Sequence, residues 1–250
     1  MGHLKEVSRP PDGRSPSVMS GGWQRVSGLA PAQKYPAGIG LFKQDMMPLE
    51  VYLIEAGLVK LTHIEGNGKE LVVGLRTPNW IIGAAAVILN AKHGFSAETL
   101  TGCQIRCITA PFFLNLLHND SEFAWHFQQV QSYELFDQLS QLVGFGCRSA
   151  RHRLEQLLSQ LISTLGLKAG EIKIQLQLPL KHWELAELIA VTPEHLSRLL
   201  KEMQLEGIVQ RDKGWIHIPD VRRLRSQQEL DYMHPENPPA ATRAFDLHHL

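Results

Sequence analysis

Glu194, Ser197, Arg198 and Lys201 stand at positions i, i+3, i+4 and i+7 of the segment PEHLSRLLKEMQL. At 100° per residue they gather on one side of a helix, while Leu196, Leu199, Leu200 and Met203 centre on the opposite side. One face is then core and the other is free. The free face presents a carboxylate, a hydroxyl and two cations from the first turns of a helix. A guanidinium can donate to both O6 and N7 of a guanine, a carboxylate can accept from N4 of a cytosine, and each such contact discriminates between bases by about 1–3 kcal/mol. Taken singly these residues are ordinary solvated positions, and Glu194 near a helix start would favour the macrodipole with no partner present. The chemistry needs all of them together, on a helix offered to a groove.

The surrounding residues supply such a helix. Thr192 is a good N-cap with Pro193 at the first helical position, Ala190-Val191 reads as a tight turn, and Leu185, Leu188 and Ile189 give a preceding short helix its apolar face. This is helix-turn-helix spacing. The following GIVQRDKGWIHI reads as two β runs joined at Arg211-Asp212-Lys213-Gly214, a wing whose basic tip, Arg211 and Lys213, can meet phosphates. Upstream, Ala150, Leu154, Leu157, Leu158, Leu161, Ile162 and Leu165 fall on one face of a helix over Ser149 to Leu165, with Gly166 as its stop. Ile172, Ile174, Leu176 and Leu178 alternate with polar residues as in a strand.

Ser121 to Phe145 reads as one long helix with two apolar stripes, Phe136, Leu139 and Val143 on one side and Gln128, Leu135 and Leu142 on its neighbour. Such a helix can pack on its own domain and on a second copy of itself, which makes these residues a candidate dimer interface; burial wholly within one domain is the alternative. Gly144 and Gly146 are expected to interrupt the helix and form a hinge. Between Tyr35 and Arg106 the pattern is short strands, with Asn67-Gly68 predicting a type I′ hairpin, further turns at Pro78-Asn79 and Asn90, and another β run at CQIRCIT. An antiparallel roll or barrel fits. The expected organisation is a mobile tail over 1–20, a β-roll domain over 21–120, a dimerisation helix and hinge over 121–147, a winged helix-turn-helix domain over 148–230 and a second mobile tail over 231–250.

The 250 residues, 44% apolar and 20% charged, exclude collagen-like, disordered and coiled-coil-only classes. The longest apolar run, Trp80 to Leu89, is too short to span a membrane, and the first residues lack the apolar stretch of a secretory signal, so a cytoplasmic protein is expected. Net charge is zero, but segment 148–230 carries +3 against −2 over 21–147, a mild bias that permits nucleic-acid binding. Cys103, Cys107 and Cys147 form no disulfide framework; four apart in a strand, the first two lie roughly 13 Å from each other, so buried structural thiols are the better reading. Twelve scattered histidines show no zinc pattern, and neither a metal nor a catalytic constellation can be named, so no enzyme is expected.

The stretches YLIEAGLVKL, TPNWIIGAAA, FSAETLTGCQIRCI and CRSARHRLEQLL, the long helix and the winged segment with TPEHLSRLL resemble the Crp/Fnr superfamily, the transcription regulators grouped with the cyclic-AMP receptor protein and the fumarate–nitrate regulator. The resemblance runs from about Tyr35 to Arg225. It implies an α+β chain with an N-terminal antiparallel β-roll of the cyclic-nucleotide-binding kind, a dimerisation helix and a C-terminal winged helix-turn-helix. It also implies a homodimer on double-stranded DNA, with RNA polymerase as a further partner. Glu194, Ser197 and Arg198 match the Fnr-type reading pattern, which in the family recognises TTGAT-like half-sites in an inverted repeat; Ser197 and Lys201 would position the DNA backbone, and Thr192, Arg211 and Lys213 complete the expected DNA-binding residues.

The resemblance fails at the effector. Cyclic-nucleotide-binding members carry Gly-Glu and Arg-Ser/Thr-Ala, where this chain has Gly83-Ala84 and Phe95-Ser96-Ala97. Both charged anchors are missing, so no cyclic AMP binding is expected; a less polar ligand beside Phe95 or a filled-in pocket remain as readings. An iron–sulfur cluster of the Fnr type needs four cysteines, and none precedes Cys103. A DNA-free interaction module on the same fold is the other reading, against which Arg198 and Lys201 speak.

Overall fold

The computed structural model describes residues 30–224, apart from 166, 169–173, 178 and 213–214. The sequence expectations for the two tails, for Gly166, Ile172 and Leu178, and for Lys213 and Gly214 at the wing tip therefore lie outside the described residues.

The N-terminal half begins with β1 (Ala32–Tyr35), β2 (Gly40–Phe42), β3 (Glu50–Ala56), β4 (Val59–Ile64), β5 (Glu70–Arg76) and β6 (Ile81–Ile82). After the short helix α1 (Ala84–Ile88) come β7 (Ser96–Thr99) and β8 (Cys103–Thr109). They form two antiparallel sheets, ordered β1-β8-β3-β6 and β2-β7-β4-β5. In β3 the side-chain alternation feeds two cores. Tyr52 and Ile54 point into the roll with Val59, Leu61, Ala97 and Ile105, whereas Val51 and Leu53 face the helices with Ile108, Phe113, Phe123 and Phe127. A strand buried on both faces reads as a continuous apolar run, as VYLI does.

The hairpin between β4 and β5 forms where Gly66-Asn67-Gly68 predicts it, but its turn is of another kind. Gly68 N–H donates to Glu65 O at 2.8 Å, Glu65 N–H donates to Lys69 O at 2.9 Å, and Gly68 is at φ 82° while Asn67 keeps a negative φ. A type I′ turn needs positive φ at both central residues; here only the glycine adopts it, as in the longer loop that ends in a left-handed residue.

α2 (Ala110–Asn119) and α3 (Ser121–Cys147) pack back on the roll through edge-to-face contacts of Phe113 with Phe123 and Phe127, centroids 6.0 and 5.3 Å apart. Asp120 caps α3 by accepting from the N–H groups of Glu122 and Phe123. The helix, about 40 Å long at 1.5 Å per residue, runs unbroken through Gly144 and Gly146, so the predicted interruption does not occur. A glycine costs a helix interior only about 1 kcal/mol relative to alanine, too little to end a long one. The break comes at Arg148, which is extended (φ −104°, ψ 147°).

Beyond it lie α4 (Ala150–Leu165), β9 (Leu167–Lys168), β10 (Ile174–Gln177), α5 (His182–Leu188), α6 (Pro193–Leu205), β11 (Gln210–Asp212), β12 (Trp215–Ile218) and a single 3-10 turn over Val221–Arg223. The third sheet, ordered β11-β12-β10-β9, is antiparallel and pairs the two arms of the wing from Gln210 opposite His217 to Asp212 opposite Trp215. Leu154, Leu158 and Leu161 of α4, Leu185 of α5 and Leu196, Leu200 and Met203 of α6 share one core with Ile216 and Ile218. Leu58 and Leu75 of the roll belong to the same core.

Candidate nucleic-acid interface

α6 is oriented by its buried face. Leu196, Leu199, Leu200 and Met203 are buried, and Glu194, Ser197, Arg198 and Lys201 are exposed along the opposite side. Thr192 starts the helix by accepting the His195 N–H at 3.3 Å, and Ala190 makes the preceding turn at φ 52°. Glu194 is held below the usual carboxylate range by its own backbone N–H and the Thr192 hydroxyl, with Arg198 and His182 adding to the effect. It is therefore an ionised acceptor at neutral pH. Ser197 Oγ lies 3.3 Å from His182 Nε2 at the start of α5. A groove of about 420 Å³ runs on from the ridge, lined by Ser197, Lys201, Gln204 and Leu205 of α6 and by Arg211 of β11. The structure thus gathers the helix residues named from the sequence on one ridge and sets Arg211 beside them.

Sequence reasoning missed the arginines that hold this ridge in place. Arg153 of α4 donates from Nε to Ile189 O at 2.8 Å and from Nη1 to Arg148 O at 2.7 Å, tying the end of α5 to the α3–α4 joint. Arg151 makes a bidentate pair with Glu206 just past α6, both contacts at 2.6 Å, and a third contact to Glu155 at 3.0 Å. Arg223 donates to Glu206 O at 3.0 Å. An amphipathic helix pattern marks Arg151 and Arg153 only as polar positions; their partners lie 55 and 36 residues away along the chain.

Residues 152–227 match the Crp-like helix-turn-helix domain family, and residues 32–120 match the cyclic nucleotide-binding domain family. The chain belongs to the Crp/Fnr superfamily. It is similar to the transcriptional activatory protein AadR of Rhodopseudomonas palustris, 22% identical over 81% of each chain. The cyclic AMP receptor protein of Thermus thermophilus is 23% identical over 76% of this chain and 84% of its own. The solved structure of FixK2 from Bradyrhizobium japonicum shares the fold, with TM-score 0.66 and 18% identity over 82% of this chain and 98% of that one. This Crp/Fnr member is a DNA-binding transcription regulator, and among its described residues no helix is long and apolar enough to cross a membrane.

In the roll of this regulator the residues matching the family's effector anchors are divided between two cores. Ala84 packs with Val51 and Phe113, while Ala97 and Phe95 belong to the roll interior with Tyr52 and Ile54. His93 bridges them. It lies against Gly83 and stacks on Phe42 at 3.9 Å, and Phe42 in turn lies 6.0 Å from Phe95. The Phe42 ring, with His93 stacked on it, therefore stands beside Phe95. Ser96 Oγ accepts the Gln44 N–H at 3.0 Å.

His93 is 3% exposed, and burial lowers its pKa. The unfolded chain then takes up a proton first as pH falls below about 6.5, so stability declines from there down to the folded-state value and is flat below it. Melts at neutral and mildly acid pH are expected to show this decline in the wild type and a smaller one in His93→Phe. An equal decline in the variant would assign the acid sensitivity elsewhere.

On α3, Leu135, Phe136, Leu139, Leu142 and Val143 are each more than half exposed. One continuous apolar stripe thus lies bare on the chain. Arg76, over the Trp80 ring at 4.4 Å, reaches Glu134 at 3.2 Å and fixes the adjoining part of α3 to the roll.

Proposed function

We propose that the regulator acts as a homodimer, paired through Leu135, Phe136, Leu139, Leu142 and Val143. Its two α6 helices read TTGAT-like half-sites in an inverted repeat about one duplex turn, roughly 34 Å, apart. Arg198 donates to a guanine, Glu194 accepts from a cytosine, and Ser197 lies between them, oriented by His182. Thr192, Lys201, Arg211 and Lys213 hold phosphates on either side. RNA polymerase is the further partner, and the chain is no enzyme. The observation that carries this reading is the exposed ridge of Glu194, Ser197, Arg198 and Lys201 on a helix whose other face is core. The test is selection of bound duplexes from a random pool, with and without a cell metabolite extract. A TTGAT-like palindrome is expected; no enrichment under either condition would favour a DNA-free module.

The roll does not hold cyclic AMP. Ala84 and Phe95 offer neither an acceptor for the ribose hydroxyl nor a cation for the cyclic phosphate, and Phe42, stacked on His93, stands beside Phe95. Calorimetry at millimolar nucleotide is expected to show no saturable heat. Tight binding would overturn this reading.

A further inference from the structure

The helix that carries the reading helix is fastened to the roll at two points. Glu184 of α5 is a buried carboxylate, 3% exposed, and its Oε1 lies 2.6 Å from Nζ of Lys60 on β4, itself 12% exposed. The other oxygen of Glu184 accepts the Lys181 N–H at 2.7 Å and starts α5. One turn further along, Glu187 Oε2 accepts the Val72 N–H of β5 at 3.0 Å. Among the described residues β5 is the edge of its sheet, and this amide has no strand partner on that side. Around the two polar attachments, Leu58 and Leu75 of the roll share a core with Leu185 and Ala186 of α5 and with Ile189 just past its end.

We propose that Lys60 is a positioning residue for DNA recognition: through Glu184, and together with the Val72–Glu187 contact, it fixes the angle at which the roll offers α6 to a duplex. This rests on the reading of the α6 ridge given above. The physical reason is leverage. The covalent path between the two domains is the two-residue joint Arg148-Ser149 between α3 and α4, with Arg148 extended, and a single joint leaves rotation about itself free. A swing of about 10° on a lever of roughly 20 Å, the scale of a small domain, moves the reading helix by about one base-pair step of 3.4 Å. Two attachments on α5, one a buried ion pair whose rupture would strand a carboxylate away from water, remove that swing. In a two-fold dimer the error would otherwise enter twice, so the fixture governs the spacing between half-sites and leaves the reading of each one alone.

The test uses the full chain and duplexes carrying two TTGAT half-sites in inverted repeat, with the spacer changed by about one and about two base pairs, plus a duplex with a single half-site. Lys60→Met removes the ammonium and keeps the length; Lys60→Arg keeps the charge. The Lys60→Met, Glu184→Gln double variant removes the pair without stranding a charge, and its thermal melt checks that the fold survives. The wild type is expected to prefer one spacing by about tenfold or more, both charge-removing variants by about threefold or less, and Lys60→Arg to restore the preference. Single half-site affinity stays within about twofold throughout. Unchanged spacing preference in the variants overturns the proposal and leaves the ridge reading intact, and so does an equal loss on single and paired sites, the mark of a folding defect. Failure of the wild type to bind any of these duplexes, or indifference of their binding to Arg198→Ala, overturns the ridge reading and the proposal with it.

Discussion

Arg198→Ala lowers affinity for the selected operator by one to two orders of magnitude or more and relaxes discrimination at one base pair of each half-site, with little change in binding to unrelated duplex. The guanidinium is exposed beside ionised Glu194, on a ridge whose backbone is fixed by four buried residues beneath it. A bidentate contact to guanine discriminates by about 1–3 kcal/mol, roughly 5- to 150-fold, and a dimer loses two of them. The contrast is Arg211→Ala at the groove, which is expected to weaken all duplexes alike and to reduce the slope of log affinity against log salt by about 1 per site. Anisotropy titrations on cognate and scrambled duplexes at two salt concentrations separate the two behaviours. If both substitutions acted uniformly, the division into a base reader and a phosphate anchor would be wrong.

A Leu139→Glu, Leu142→Glu double variant is expected to be monomeric and to bind the inverted repeat at least about a hundredfold more weakly, while its melting temperature at equal subunit concentration falls only through the lost pairing. Full burial of a leucine contributes about 1.5–3 kcal/mol, and the five stripe residues each leave more than half of their surface bare in the single chain. None of them belongs to the buried cores of the roll or of the helix-turn-helix domain, so charge at these positions strikes pairing and spares the fold. The loss on DNA follows from effective concentration: a dimer delivers its second reading helix at roughly millimolar local concentration, and a monomer delivers none. Sedimentation of the variant as a dimer would rule out α3 as the pairing surface and return its stripe to the other expectation, packing within one chain.

The arginine and carboxylate contacts explain why the ridge is rigid enough to discriminate. Arg153 holds the carbonyl end of α5, Arg151 holds the residue that follows α6, and Lys60 holds the first turn of α5 from the other domain. Each anchors backbone or a scaffold carboxylate, and none of the three points at the groove lined by Ser197, Lys201 and Arg211. The residues free to meet a partner are therefore separate from those that fix their placement, the arrangement that pre-organised recognition requires.

By itself the sequence determined what depends on near neighbours along the chain. The two faces of α6, the Thr192-Pro193 start, the turn at Ala190, the wing hairpin and the apolar period of the α3 stripe all follow from periods of 2 and 3.6 residues and from capping chemistry, which act over a handful of residues, while the exposure of that stripe came with the fold. The effector departures at Ala84 and Phe95 were legible as missing charges. Whatever depends on distant partners or on small energy differences was fixed in the folded chain. Lys60 meets Glu184 across 124 residues of chain, and no local pattern distinguishes that lysine from any other solvated one. The turn at Glu65–Lys69 took Gly68 alone into positive φ, because strand register and not the Asn-Gly pair set its length. Gly144 and Gly146 stayed helical, because their cost is small beside the cooperativity of a 27-residue helix. Which face of α5 the roll grips was decided where an edge strand with a free amide met a helix carrying carboxylates one turn apart, a match that exists only once both are folded.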